Sequence, residues 1–177
     1  MATVTKRIEP HRRLGLSSTP TLQIAQAASL AAVKGAPVQI TSGYINVCDT
    51  ASVSSADQVK PAASGDYLLG FLQEDGAGSA SNTSKVGVTP ALPGMIFKGQ
   101  LIDNSTGALV TLVQATHLGA KAGLAKLSGD THYGVDMSPA SSADCVTVVE
   151  LIDAIGTSGG QVGFVVNASW RQIDVEV

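Results

Sequence analysis

Val146-Thr147-Val148-Val149-Glu150-Leu151-Ile152 is followed, across a turn holding Gly156, Ser158, Gly159 and Gly160, by Gln161-Val162-Gly163-Phe164-Val165-Val166. Both runs are rich in β-branched side chains, which fit a pleated, half-buried sheet better than the crowded turns of a helix. Two such runs separated by glycines predict neighbouring strands. The same pattern recurs toward the N-terminus. Tyr133-Gly134-Val135-Asp136 is a short strand, and residues 109–113 and 122–126 are weaker ones. Lys85-Val86-Gly87-Val88-Thr89 and Met95-Ile96-Phe97-Lys98-Gly99-Gln100-Leu101 are strands parted by Pro90-Ala91-Leu92-Pro93-Gly94. Proline has no N–H for a ladder, so that divider cannot lie inside a central strand. Residues 67–73 form a further strand, and Pro37-Val38-Gln39-Ile40 and Tyr44-Ile45-Asn46-Val47-Cys48 flank Ser42-Gly43 as a tight hairpin. Residues 49–65 and the polar stretch 74–84 are expected to be loops. Short strands with Gly-rich turns, and no helix recurring between them, predict an all-β fold. The expected form is a small β-barrel or sandwich of short antiparallel strands spanning residues 34–177.

Residues 1–33 have a different character. Thr19-Pro20 breaks any regular element, and Thr21 is placed to cap a helix over the Ala-rich run 22–33, with Gly35 as its stop. Ahead of that run, Lys6, Arg7, Arg12 and Arg13 against Glu9 give the first thirteen residues a charge of +3, while the remainder carries seven basic and thirteen acidic residues, or -6. A basic segment on an acidic body predicts an N-terminal arm, residues 1–33, that docks through Lys6, Arg7, Arg12 and Arg13 on an acidic partner surface. A solvated, mobile terminus is the plainer alternative.

Composition bears on the function classes. Charged residues make up 14% and aromatic residues 4% of a chain that is 44% hydrophobic and holds 19 glycines; about 25% charged is usual. Small side chains let backbones approach closely but give little dispersion energy each. Burial shared with neighbouring subunits is therefore expected. The net charge of -3 gives no argument for nucleic acid or a membrane surface. Close pairings of a base-stacking ring with a cation are few, as at Trp170-Arg171, so a nucleic-acid partner is not expected. No stretch approaches 18 uninterrupted apolar residues, and Glu9, Pro10, His11, Arg12 and Arg13 occupy the place where the apolar part of a secretory signal would begin. The expectation is a protein made in the cytoplasm with no membrane partner. Cys48 and Cys145 lie 97 positions apart without metal-ligand spacing. They are expected to be separate buried thiols, with a disulfide as the alternative.

Motifs that carry chemistry are sparse. His11, His117 and His132 show none of the spacings that build a zinc site. Glu74-Asp75-Gly76-Ala77-Gly78-Ser79 has the glycines of a phosphate-cradling loop, but no lysine, and its two carboxylates would repel an anion. A strand-ending turn is the better reading. Glu74 and Asp75 also lack the oxygen-ligand spacing of an EF-hand. No catalytic, cofactor-binding or metal residues are expected, and no cofactor.

One resemblance lies in the order of segments. Lys34-Gly35-Ala36-Pro37-Val38 opens a strand leading to Tyr44-Ile45-Asn46-Val47. Then come Leu68-Leu69-Gly70-Phe71-Leu72-Gln73-Glu74-Asp75-Gly76-Ala77, Val86-Gly87-Val88-Thr89, and Pro93-Gly94-Met95-Ile96-Phe97. This progression, with the C-terminal hairpin, resembles the small β-barrel head decoration (cement) proteins of tailed bacteriophages over residues 34–166. The resemblance implies a non-enzymatic virion protein on the capsid exterior, with the major capsid protein and its own copies, as a trimer, for partners. Another virion component, such as a head fibre base or tail protein, and a carbohydrate- or receptor-binding module are the alternatives. The last would want exposed aromatic rings, and Trp170 is the single tryptophan.

Overall fold

The computed structural model describes residues 2–13, 19–28, 30, 32–48, 67–76, 84–127, 129–138 and 144–173. Twelve strands carry the described fold, with one four-residue helix, α1 (Gln114–His117), and a 3-10 turn at Ala168–Trp170. The chain is all-β, as its alternating strand pattern requires.

The longest strand organises the first sheet. β7 (Met95–Asp103) is buried at seven of its nine positions. Its first half pairs with β1 (Glu9–Arg13) on one side and β12 (Gln161–Val166) on the other; its second half pairs with β8 (Ala108–Leu109) and β10 (Tyr133–Asp136). From β10 the ladder runs through β9 (Lys121–Lys126) and β11 (Val146–Leu151) to β12, and so returns to β7. The β7–β10 pairing is parallel, with Val135 opposite Leu101, where antiparallel strands were expected. The two strands are far apart in sequence, and β9 and β10 already form an antiparallel hairpin, so closing the ring requires a crossover.

The second sheet runs β2 (Leu22–Ala25), β6 (Lys85–Pro90), β5 (Gly70–Leu72), β3 (Pro37–Thr41), β4 (Tyr44–Val47). A bridge between Gln26 and Ile45 joins its two ends, making a five-stranded barrel. The β3–β4 hairpin forms at its expected place, with Ser42 at φ 54° and Gly43 at φ 83° in the turn. That is the left-handed pair a two-residue hairpin needs. At Gly70 a Cβ would lie 2.0 Å from the Thr89 carbonyl oxygen. Only glycine admits so close a backbone approach.

Two expectations are corrected here. The described residues of the run 22–33 hold no helix: Leu22 to Ala25 form β2, paired with Val88, Gly87, Val86 and Lys85. Leu22 and Ile24 share one face by the period of two and pack on the core. Sheet pairing overrides the local preference of alanine, which is worth only tenths of a kcal/mol per residue, about 0.7 at most. Nor do the described residues of 1–33 stand apart from the body, since β1 joins one sheet and β2 the other. The loops expected at 49–65 and 74–84 lie mainly outside the described residues.

All three phenylalanines of the chain meet between the sheets. The Phe71 ring, on β5, lies 4.5 Å from Phe97 on β7 and 5.9 Å from Phe164 on β12, and the latter two are 6.0 Å apart. Each is at most 1% exposed, and a single hydrophobic cluster runs through both sheets around them. Replacing Phe71 or Phe97 by alanine is expected to cost about 3–5 kcal/mol in denaturant unfolding. The Phe71/Phe97 double-mutant cycle should show a coupling of about 0.5–1.5 kcal/mol. Strict additivity would mean that the two sheets do not lean on each other through these rings.

Candidate functional site

Lys6, Arg7, Arg12 and Arg13 were the only site residues expected, and the structure places Lys6, Arg7 and Arg12 along an N-terminal strap on the first sheet. Val4 and Ile8 fix the strap. Both are 1% exposed; Ile8 joins the main core, and Val4 packs with Ile102, Ala125 and Leu127. Between them the Val4 N–H donates to Asp130 Oδ2 at 2.5 Å, and the Thr5 N–H to Gln100 Oε1 at 2.9 Å. Burying two such side chains contributes about 1.5–3 kcal/mol each.

The cations then fall on the chain's own groups. Lys6 Nζ donates to Asp153 Oδ2 at 2.8 Å, and Arg7 Nε donates to His132 Nε2 at 2.9 Å. Arg12 Nη2 lies 3.0 Å from Glu150 Oε2 as an ion pair, with His11 Nε2 at 3.5 Å from the same oxygen. Arg13 pairs with Met95 through the strand register. Half-exposed ion pairs of this kind are worth about 0–1 kcal/mol each, so the apolar anchors hold the strap and the charges set its register. The acidic surface that the charge asymmetry calls for is present on the same chain. Lys6, Arg7 and Arg12 thus each have a partner within the chain.

The other polar candidates are occupied structurally. His117 is buried, its Nδ1 accepts the Val113 N–H at 3.0 Å, and burial lowers its pKa. Glu74 Oε1 accepts the Gly87 N–H, and Asp75 Oδ1 accepts the Lys34 N–H. Asp103 Oδ1 accepts from the Ser105 and Ser138 hydroxyls, which hold its carboxyl far below the usual range. Cys48 and Cys145 are both buried and neither is in a disulfide; burial pushes the Cys145 thiol up to about 12. Among the described residues no three His, Cys, Asp or Glu side chains group as metal ligands, and no helix is long and apolar enough to cross a membrane.

One surface feature was not anticipated. Val113 and Leu118 flank α1, Val149 is the extra residue of a β-bulge between Val148 and Glu150, and Ile155 tips the turn after β11. They are 42%, 47%, 40% and 61% exposed, and the other large exposed hydrophobics among the described residues are Tyr44 and Tyr67 near the other sheet. The α1 segment is stapled at both ends. Leu112 exchanges backbone hydrogen bonds with Thr157 and Gly156, and Gly119 and Ala120 exchange them with Val148. Leu118, Val149, Leu151, Ala154 and Ile155 thereby line a shallow groove of about 480 Å³, bordered by Glu150 and Asp153. A cleft between the sheets near Lys126 and Tyr133 has about 180 Å³, less than the roughly 300–1,000 Å³ of ordinary ligand pockets. The sequence signal for the groove was Val149 at an outward position of β11, one apolar residue that alternation alone would not mark as functional.

The chain matches no known family model, no curated protein and no solved structure.

The Lys6–Asp153 contact carries a pH signature. The hydrogen bond from Lys6, then that from the Gln161 N–H, lower the Asp153 pKa below its ordinary 3.8. A carboxylate depressed on folding stabilises the native state above its unfolded pKa and loses that contribution as pH falls through the folded value. The melting-temperature advantage of the wild type over Asp153→Asn should be constant above about pH 5 and shrink below about pH 4. An advantage that grows on acidification would exclude this pairing in solution.

Proposed function

We propose that this chain is a structural protein of a tailed-phage virion that binds the outside of the capsid as a homo-oligomer, a trimer, and stabilises the lattice. One observation carries the reading. The segments that resemble decoration proteins fold as consecutive β3, β4, β5 and β6, which are neighbours in one closed barrel, and then as the start of β7, which leads into the second sheet. A sequence progression that folds into one contiguous unit is better support than the same words scattered over a structure.

The physical character agrees. Closing both ladders removes most free strand edges, which otherwise recruit unwanted strands. A strap anchored by Val4 and Ile8 leaves little loose chain at the described N-terminal end. Many copies on a lattice turn individually weak contacts into durable attachment, because each bound contact raises the effective concentration of the next.

Purified protein mixed with capsids assembled from the major capsid protein of its own genome should cosediment with them and raise the temperature at which they disrupt. Because Lys6, Arg7 and Arg12 are paired within the chain, raising salt from about 0.05 to 0.5 M should weaken this binding less than tenfold. A chain that stays in the supernatant at micromolar concentration, and is absent from purified particles, would end the proposal.

A further inference from the structure

We propose that the groove between α1 and β11 is the face through which copies of this chain associate, with Ile155 of one copy seated against Leu118, Val149 and Leu151 of the next. The inference rests on the homo-oligomer reading above and is independent of the capsid reading.

The argument begins with charge. Each chain carries a net -3, so two copies repel at long range. They associate most readily where the local charge cancels. Around this groove it does. Asp153 is countered by Lys6 at 2.8 Å, and Glu150 by Arg12 at 3.0 Å. A strongly acidic or basic partner would find no steering field here. A second copy presents the same neutral rim and the same apolar centre, so like meets like without a like-charge penalty.

Shape supports the same occupant. Ile155, at 61% exposure the most exposed large hydrophobic described, projects beside a groove of about 480 Å³ lined by side chains of its own chemistry. A knob from one copy in the groove of the next is a head-to-tail contact, and such contacts close into rings such as a trimer. The surface is also built rigidly. The bulge turns Val149 outward, and backbone hydrogen bonds fix the α1 segment to β11 and to the 156–157 turn. Little conformational freedom is lost when such a face is covered. An apolar patch gathered along one groove, while Tyr44 and Tyr67 lie by the other sheet, is the pattern of an interaction site rather than of scattered exposure.

Sedimentation equilibrium of the full chain tests this, with circular dichroism to check that each variant is folded. The wild type should be oligomeric at micromolar concentration. Ile155→Asp and Leu118→Asp, both at exposed positions, should raise the dissociation constant at least about thirtyfold, as loss of a central hot-spot side chain does. Tyr67→Asp, exposed near the other sheet, should leave it within about threefold. Lys6→Glu, which makes the rim net negative, should weaken association in low salt and recover as salt is added. A wild type that is monomeric throughout would overturn the homo-oligomer reading and this face together. An oligomer that survives both aspartate substitutions, or that Tyr67→Asp disrupts instead, would overturn this face alone.

Discussion

The contact among Phe71, Phe97 and Phe164 is the constraint on which the rest of the structure depends. A chain with 4% aromatic residues has few large side chains with which to fill the space between two sheets, and it places all its phenylalanines there. Around them the core is Val, Leu, Ile and Ala, so the inter-sheet spacing is set by three rings and the remainder by close backbone approach. Gly70 and Gly134 show how close. A Cβ at Gly134 would meet Ile102 Cγ2 at 2.8 Å and the Gln100 carbonyl oxygen at 2.9 Å. Glycine in β5 and β10 is thus a condition of close strand pairing within each sheet, and not merely a sign of a weak core.

β7 transmits that constraint outward. It carries Phe97 inward, accepts β1 and β12 along its first half, and accepts β8 and β10 along its second. Ile8, one residue before β1, reaches the same core that Phe97 fills, which draws the N-terminal strap across the sheet. The strap's cations then reach Glu150 and Asp153, at the end of β11 and just past it. The rim charges of the groove are therefore set by the register of β1 on β7.

The sequence was legible where turn residues bound runs of apolar and β-branched side chains. The β3–β4 hairpin, β6, β7, β11 and β12 all fall within a few residues of their expected positions, because glycine and proline punctuate them and their apolar residues recur with strand spacing. β2 was illegible for a definite reason. Residues 22–33 are rich in alanine, whose helix preference is weak, and the deciding hydrogen bonds come from β6, about 60 positions away. The strap was half legible. Its charge was plain, but the sign of a segment does not say whether its acidic complement lies on the same chain. The buried pair Val4 and Ile8 held that answer. The groove was the least legible part, since it is assembled from α1, β11 and a turn that only the fold brings together.

The two closed ladders also explain why an apolar groove stands out on this surface. In an open sheet, exposed edges offer backbone hydrogen bonds to any passing strand, so recognition can proceed without side chains. Here β7 pairs on both sides, β12 lies between β11 and β7, and the bridge from Gln26 to Ile45 joins the ends of the barrel. Recognition at the described surface must then rely mainly on side chains. Charge offers little, because several of the acids near the strap are already matched by its cations. What remains is apolar contact, and its most concentrated source is where the β11 bulge and α1 turn Val149 and Leu118 outward beside Ile155. A bulge that disrupts a ladder costs pairing, and such features tend to be kept where they re-aim a side chain for a purpose. In this fold the re-aimed side chain is a valine, and an outward-facing valine gains free energy only when another apolar surface covers it.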